Sequence, residues 1–203
     1  TVFVVHDRDL RRIARLPLVV SRTADRELRD ADIGVVRGEE FAGERLATLD
    51  EFIDEAGDRI ALSIELKYYG DEPRLAEQVV RAVENKGVVE SCSIISLEYP
   101  GLEQVRELNP RIRVGYLVSV NLGDPTSLDV DFLSVSEALL TPDLRRRTDA
   151  RGMALAVWTI DDREAIERAL VAGVDEIVTN DPATAVDADR EFHQLGHIEL
   201  LVL

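Results

Sequence analysis

The chain has 203 residues, room for a single domain with a sizeable core, and carries 40 acidic against 24 basic side chains for a formal charge of −16. That balance argues against nucleic acid or an anionic membrane surface as a direct partner, since both would repel it. A single cysteine, Cys92, excludes an intrachain disulfide, and its place in an apolar stretch predicts a buried thiol.

In chain order, an apolar β-branched run from Val2 to Val5 predicts a strand that ends at His6 and Asp7. A titratable imidazole at a strand mouth serves as a metal ligand, as an acid–base catalyst, or as a histidine satisfied by its neighbour. The pair alone does not choose among them. Thr48 and Glu51 have the Thr-x-x-Glu spacing of a capping box and predict a helix start.

Next comes Ala61–Lys67, ALSIELK, a strand pattern with two opposite charges inside it. Side chains alternate faces, so Ser63, Glu65 and Lys67 share one side and Leu62, Ile64 and Leu66 the other. Charges placed there point to a reactive site, with a structural Glu–Lys pair or an exposed face on an antiparallel strand as the alternative.

Apolar runs predict strands near Ile60–Lys67, Cys92–Glu98, Val114–Ser119, Phe132–Ser136, Ala154–Ile160 and Glu176–Asn180. Helical patterns lie between them: Pro73–Lys86 stopped by Gly87, Pro100–Leu108 before Asn109-Pro110, Leu144–Arg151 before Gly152, and Asp161–Ala172 before Gly173. Short strands alternating with short helices argue for parallel βα units. Parallel-barrel logic then puts the chemistry at the carboxyl ends of strands, where His6, Glu65, Lys67, Ser96, Glu98, Trp158, Thr159 and Asn180 fall.

His6-Asp7, with Leu10 and Arg12, has the form His-Asp-x-x-Leu-x-Arg, and the strand after it has the Ile-Glu-x-Lys form. ERLATLDEFI (Glu44–Ile53), IISLEYPGLEQVRELNPRIRVGYL (Ile94–Leu117), ALAVWTIDD (Ala154–Asp162) and GVDEIVTNDP (Gly173–Pro182) follow in order. On these motifs the chain resembles the glycerophosphodiester phosphodiesterase family up to about Asp187. Departures are small: Ile13 where Thr is usual, Ala47 for Pro, and Leu97 for Phe. DVDFLSVS (Asp129–Ser136) looks most like members in which the domain follows a membrane-embedded region.

The resemblance implies an α/β (β/α)8 barrel. Such a barrel typically needs ~250 residues, and the family's His-Arg-Gly and Glu-x-Asp motifs precede the His-Asp motif; neither stands ahead of His6. The sequence is therefore expected to be an N-terminally cut, incomplete barrel. Its first two strands, a second catalytic histidine and two metal-binding carboxylates would be absent, and this chain alone would be inactive. Val2–Val5 and Arg8–Gly43 would form an insertion before the third barrel strand, with residues 1–187 as the barrel and 188–203 as a tail.

The implied reaction is metal-dependent hydrolysis of a small glycerophosphodiester to glycerol 3-phosphate and an alcohol, with the glycerol hydroxyl thought to attack phosphorus first. His6 would be the general acid or base, Glu65 a ligand of Mg²⁺ or Ca²⁺, Lys67 a point charge on a phosphate oxygen, and Trp158 a substrate contact. Core packing competes for Trp158, hydrogen bonding at the barrel mouth is preferred for Ser96 and Glu98, and a turn or helix cap for Asn180 and Asp181. A related phosphodiesterase with another head group, or a non-catalytic barrel that binds a phosphodiester or a protein, would share many of these motifs.

Other signals carry little. His193 and His197 have helical metal spacing, but Gly196 is expected to interrupt the helix and Gln194 stands where a metalloprotease needs Glu. Arg145–Arg147 reads as a solvated face. Only Lys67 and Lys86 are lysines, and an acidic, lysine-poor surface points to a halophilic source, GC-rich coding being the plainer reason for arginine. The apolar end Ile198–Leu203 is far short of the ~20 residues of a span, so cytoplasmic residence and tethering to a membrane domain both stay open.

Overall fold

The computed structural model describes residues 1–70, 72–120 and 123–199, without the side chains of residues 58 and 194–199. The elements, in chain order, are α1 (Arg11–Ala14), α2 (Asp25–Asp30), α3 (Leu49–Ala56), β1 (Leu62–Leu66), α4 (Leu75–Asn85), β2 (Cys92–Ser96), α5 (Tyr99–Leu108) and β3 (Arg113–Val118). After them come β4 (Phe132–Ser136), α6 (Pro142–Arg151), β5 (Ala154–Trp158), α7 (Arg163–Val171), β6 (Glu176–Ile177) and α8 (Pro182–Glu199). The strands are hydrogen-bonded in sequence order, β1-β2-β3-β4-β5-β6; an α-helix lies between every consecutive pair except β3 and β4. The chain divides into two compact units, Thr1–Ile94 with Glu103–Ile112, and Ile95–Leu102 with Arg113–Leu203.

In the first unit the residues before β1 build a core of their own. Leu10, Ala14, Leu28, Ala31 and Leu46 are buried together, with Phe3, Val5, Ile13, Leu18, Val20 and Ile33 packed on them. Val2–Val5 is extended but is not the strand the sequence suggests: it makes one antiparallel bridge, Phe3 to Thr48. Val4 N–H donates to the Ala47 carbonyl and Leu49 N–H to the Val2 carbonyl, both at 2.9 Å. The partner segment then turns into α3 at Leu49, which ends the pairing.

The expected capping box forms there. Glu51 N–H donates to Thr48 Oγ1 at 3.2 Å while Thr48 N–H donates to Glu51 Oε2 at 2.9 Å. Lys86, just past α4, donates to both oxygens of Asp54 on α3, at 2.7 and 2.6 Å. Gly87 takes a φ of +69°, the left-handed turn that stops α4. Cys92 is buried, and burial pushes its thiol up to about 11.

In the second unit β3, β4, β5 and β6 run parallel, in registers that pair Gly115 with Phe132, Ser136 with Trp158 and Val157 with Ile177. Gly115 is required by that packing: a Cβ there would stand 2.2 Å from the buried Phe132 ring. Two aspartates just ahead of strands each satisfy the amide of the second residue in the neighbouring strand. Asp131 accepts from Val114 N–H at 2.7 Å, and Asp175 from Leu155 N–H at 2.8 Å. Val157, Ile160, Ala165, Ile166, Ala169 and Ala188 form a core between β5, α7 and α8.

Two expectations change in this unit. β6 ends at Ile177 instead of Asn180, because Thr179 Oγ1 and Asn180 N–H turn to Asp161 Oδ1 at 3.1 and 2.7 Å. Gly196 does not interrupt α8, which continues to Glu199 and crosses the position where the tail was expected to begin. One glycine costs a helix interior only about 1 kcal/mol against Ala, too little to break it. The side chain of His197 and the end of the apolar Ile198–Leu203 stretch lie outside the described residues.

Candidate active site

Alternation along β1 puts Glu65 and the following Lys67 on one face, and they meet: Lys67 Nζ donates to Glu65 Oε1 at 2.7 Å. Their side chains are only 28% and 21% exposed, with Leu62 and Leu66 buried behind them. The structural pairing weighed from the sequence is therefore present, and it takes one of the two carboxylate oxygens.

His6 borders the same cavity, of about 420 Å³, together with Ser63, Glu65 and Lys67. Its ring is 69% exposed, and Nδ1 lies 2.9 Å from Asp7 Oδ1. Asp7 in turn accepts from Arg12 Nε at 2.6 Å on Oδ2 and from an Arg12 terminal nitrogen at 3.2 Å on Oδ1. The Arg12 hydrogen bond, then that of His6, lowers the Asp7 carboxyl to about 2. The Tyr69 hydroxyl donates to the backbone carbonyl of His6 at 2.5 Å. Lys67, Tyr69, Asp7, Arg8 and Arg74 border a second cavity, so Lys67 faces both.

Three of the four expected site residues thus lie in the first unit around one cavity. Sequence reasoning missed Tyr69, which lies two positions beyond Lys67 and past the end of β1. Asp7 and Arg12 stand in the His-Asp-x-x-Leu-x-Arg motif, which by itself assigns neither a task.

The fourth expected residue, Trp158, belongs to the second unit. Its indole N–H donates to the Ser134 carbonyl at 2.8 Å, which leaves the half-buried ring face as the part a ligand would meet. In the same unit Ser96 is fully buried and its Oγ accepts from Glu98 N–H at 3.0 Å, the structural role preferred for it. Asn180 donates to Asp161 through its backbone N–H at 2.7 Å and Nδ2 at 2.9 Å. Asp181 caps α8 by accepting from Thr184 N–H at 3.1 Å and its hydroxyl at 2.7 Å.

The arginine triplet is more engaged than a solvated face. Arg145 is 17% exposed and binds Asp175, Asp149 and the Gly173 carbonyl, while Arg147 binds Asp124 and Asp143. Among the described residues no group of three or more His, Cys, Asp or Glu converges as a metal centre. Glu65 is a hard oxygen donor of the kind Mg²⁺ and Ca²⁺ take, but one carboxylate does not make such a site.

Residues 1–184 match the glycerophosphoryl diester phosphodiesterase family. A glycerophosphodiester phosphodiesterase of Caldanaerobacter subterraneus subsp. tengcongensis is 30% identical over 197 residues, 93% of this chain and 80% of that protein. Among solved structures, an Oleispira antarctica phosphodiesterase in complex with the product sn-glycerol-3-phosphate superposes with a TM-score of 0.84 at 23% identity, over 93% of this chain and 79% of that one. A glycerophosphodiester phosphodiesterase from Parabacteroides distasonis gives 0.80 at 24% identity, over 96% and 79%. At these identities the two structures show a shared fold.

Proposed function

The chain belongs to the glycerophosphoryl diester phosphodiesterase family, and from that premise we propose that it hydrolyses small glycerophosphodiesters to glycerol 3-phosphate and an alcohol. The observation that carries this reading is the cavity bordered jointly by His6, Glu65 and Lys67. An imidazole, a carboxylate and an ammonium all border it, the groups that a phosphodiester displacement uses. The product complex of the Oleispira relative supports the same substrate class.

Lys67 attracts a non-bridging phosphate oxygen as a compact point charge, at the cost of part of its bond to Glu65. His6 moves the proton, taking it from the attacking hydroxyl or delivering it to the departing alkoxide. Glu65 would contribute one oxygen to a divalent cation, Mg²⁺ or Ca²⁺, which would neutralise charge on the phosphate when bound. The wider reading places these strands in a (β/α)8 barrel and takes the charge of −16 as a surface adapted to high salt.

A panel of phosphodiesters assayed with the full-length gene product tests the substrate class. Release of head groups from glycerophosphodiesters, with little from phosphoinositides or intact phospholipids, is the expected pattern. The reverse preference would assign another head group.

A further inference from the structure

We propose that His6 works through Nε2, and that Asp7, Arg12 and Tyr69 are the residues that position it. Two independent ties converge on this one histidine. The first acts on the ring. Asp7 Oδ1 lies 2.9 Å from Nδ1, and an ionised carboxylate can only accept. In the neutral imidazole the shared proton is therefore on Nδ1, which leaves Nε2 with the lone pair; in the cation Nε2 carries the transferable proton. Arg12, five residues on and in α1, keeps that carboxylate ionised and stops it from rotating. Its planar fork donates at 2.6 and 3.2 Å to both Asp7 oxygens.

The second tie acts on the backbone. Tyr69 reaches across 63 residues of sequence to donate its hydroxyl to the His6 carbonyl at 2.5 Å. Tyr69 lies two residues past Lys67, so the segment that carries Glu65 and Lys67 also fixes where His6 begins. Without these ties a side chain 69% exposed would sample several rotamers and both tautomers. Asp7 and Tyr69 together leave one ring nitrogen free to meet a ligand.

The role in turnover rests on the reading of His6 as the acid–base group; the tautomer does not. The tautomer is read by ¹⁵N NMR of the histidine-labelled protein at about pH 9, where an ordinary imidazole is neutral, with His6→Gln used to assign the signal. The Nδ1–H form is expected to dominate for His6 and to give way to a mixture in Asp7→Asn. A dominant Nε2–H form, or no change in Asp7→Asn, overturns the proposal.

In the full-length gene product Asp7→Asn is expected to lower kcat about tenfold or more with KM nearly unchanged. Tyr69→Phe should lower kcat by less while keeping the Nδ1–H tautomer, because it acts on the backbone. Should Asp7→Asn fail to fold, Tyr69→Phe carries the test, and a wild-type kcat there overturns the backbone tie. A shifted tautomer with unchanged kcat overturns the positioning role while His6→Ala is still slow. If His6→Ala is also unchanged, the acid–base reading has failed instead.

Discussion

Lys67 Nζ and Glu65 Oε1 stand 2.7 Å apart on one face of β1, half-buried, beside a cavity that His6 also borders. On the proposed reading, a phosphate would compete for Lys67 and a cation for Glu65, each against the bond the two now share.

Glu65→Gln keeps the shape and removes the charge. Turnover of glycerophosphocholine by the full-length gene product should fall by about 10² or more, while stability changes by about 1 kcal/mol or less, as for other partly exposed pairs. Steady-state kinetics and urea unfolding read the two effects separately. Unchanged turnover would remove Glu65 from the site.

Gly115→Ala tests the packing of the second unit. The new Cβ would meet the Phe132 ring at 2.2 Å, so the substitution should cost about 1–3 kcal/mol, the usual price of overpacking a core. Denaturant midpoints check the loss, and Phe132→Leu in the same chain should restore part of it. A stability equal to that of the parent would contradict this packing.

Acid should weaken the tie between α2 and α3. Arg29 on α2 donates to Glu51 on α3 at 3.0 and 2.7 Å, and those bonds, followed by the capping bonds of Thr48, lower the Glu51 carboxyl to about 2. A depressed carboxylate contributes stability above its ordinary value of about 4.3 and loses it as pH falls toward 2. Urea midpoints measured from neutral pH downward should therefore drop more steeply for the parent than for Glu51→Gln across that window. Parallel curves would show that the bonds contribute nothing.

The net charge of −16 makes a further expectation measurable. Raising KCl from about 0.1 to about 1 M shortens the screening length from ~10 to ~3 Å, which weakens repulsion among unpaired carboxylates. The melting temperature should rise. A fall would mean that the surface ion pairs outweigh the repulsion, and would remove the high-salt reading.

The parts legible in the sequence were those fixed by local chemistry. The Thr48–Glu51 box, the stops at Gly87 and Gly152 and the alternation of ALSIELK all rest on neighbours a few residues apart, and each appears in the structure. Ends decided by distant groups were not legible. β6 stops early because Asp161 draws Thr179 and Asn180 away, and Val2–Val5 stays a single bridge because its partner turns into α3. For the same reason Tyr69 escaped notice: its hydroxyl serves a carbonyl 63 residues back, and no spacing in the sequence announces that.

The measurement that bears most directly on the account is release of glycerol 3-phosphate from glycerophosphocholine by the full-length gene product. It would be followed with Mg²⁺ or Ca²⁺ and again after chelation, at low and high salt. The account expects release that chelator abolishes and either cation restores. No glycerol 3-phosphate under any of these conditions would contradict it, and would favour another head group or a protein that binds phosphodiesters without cutting them.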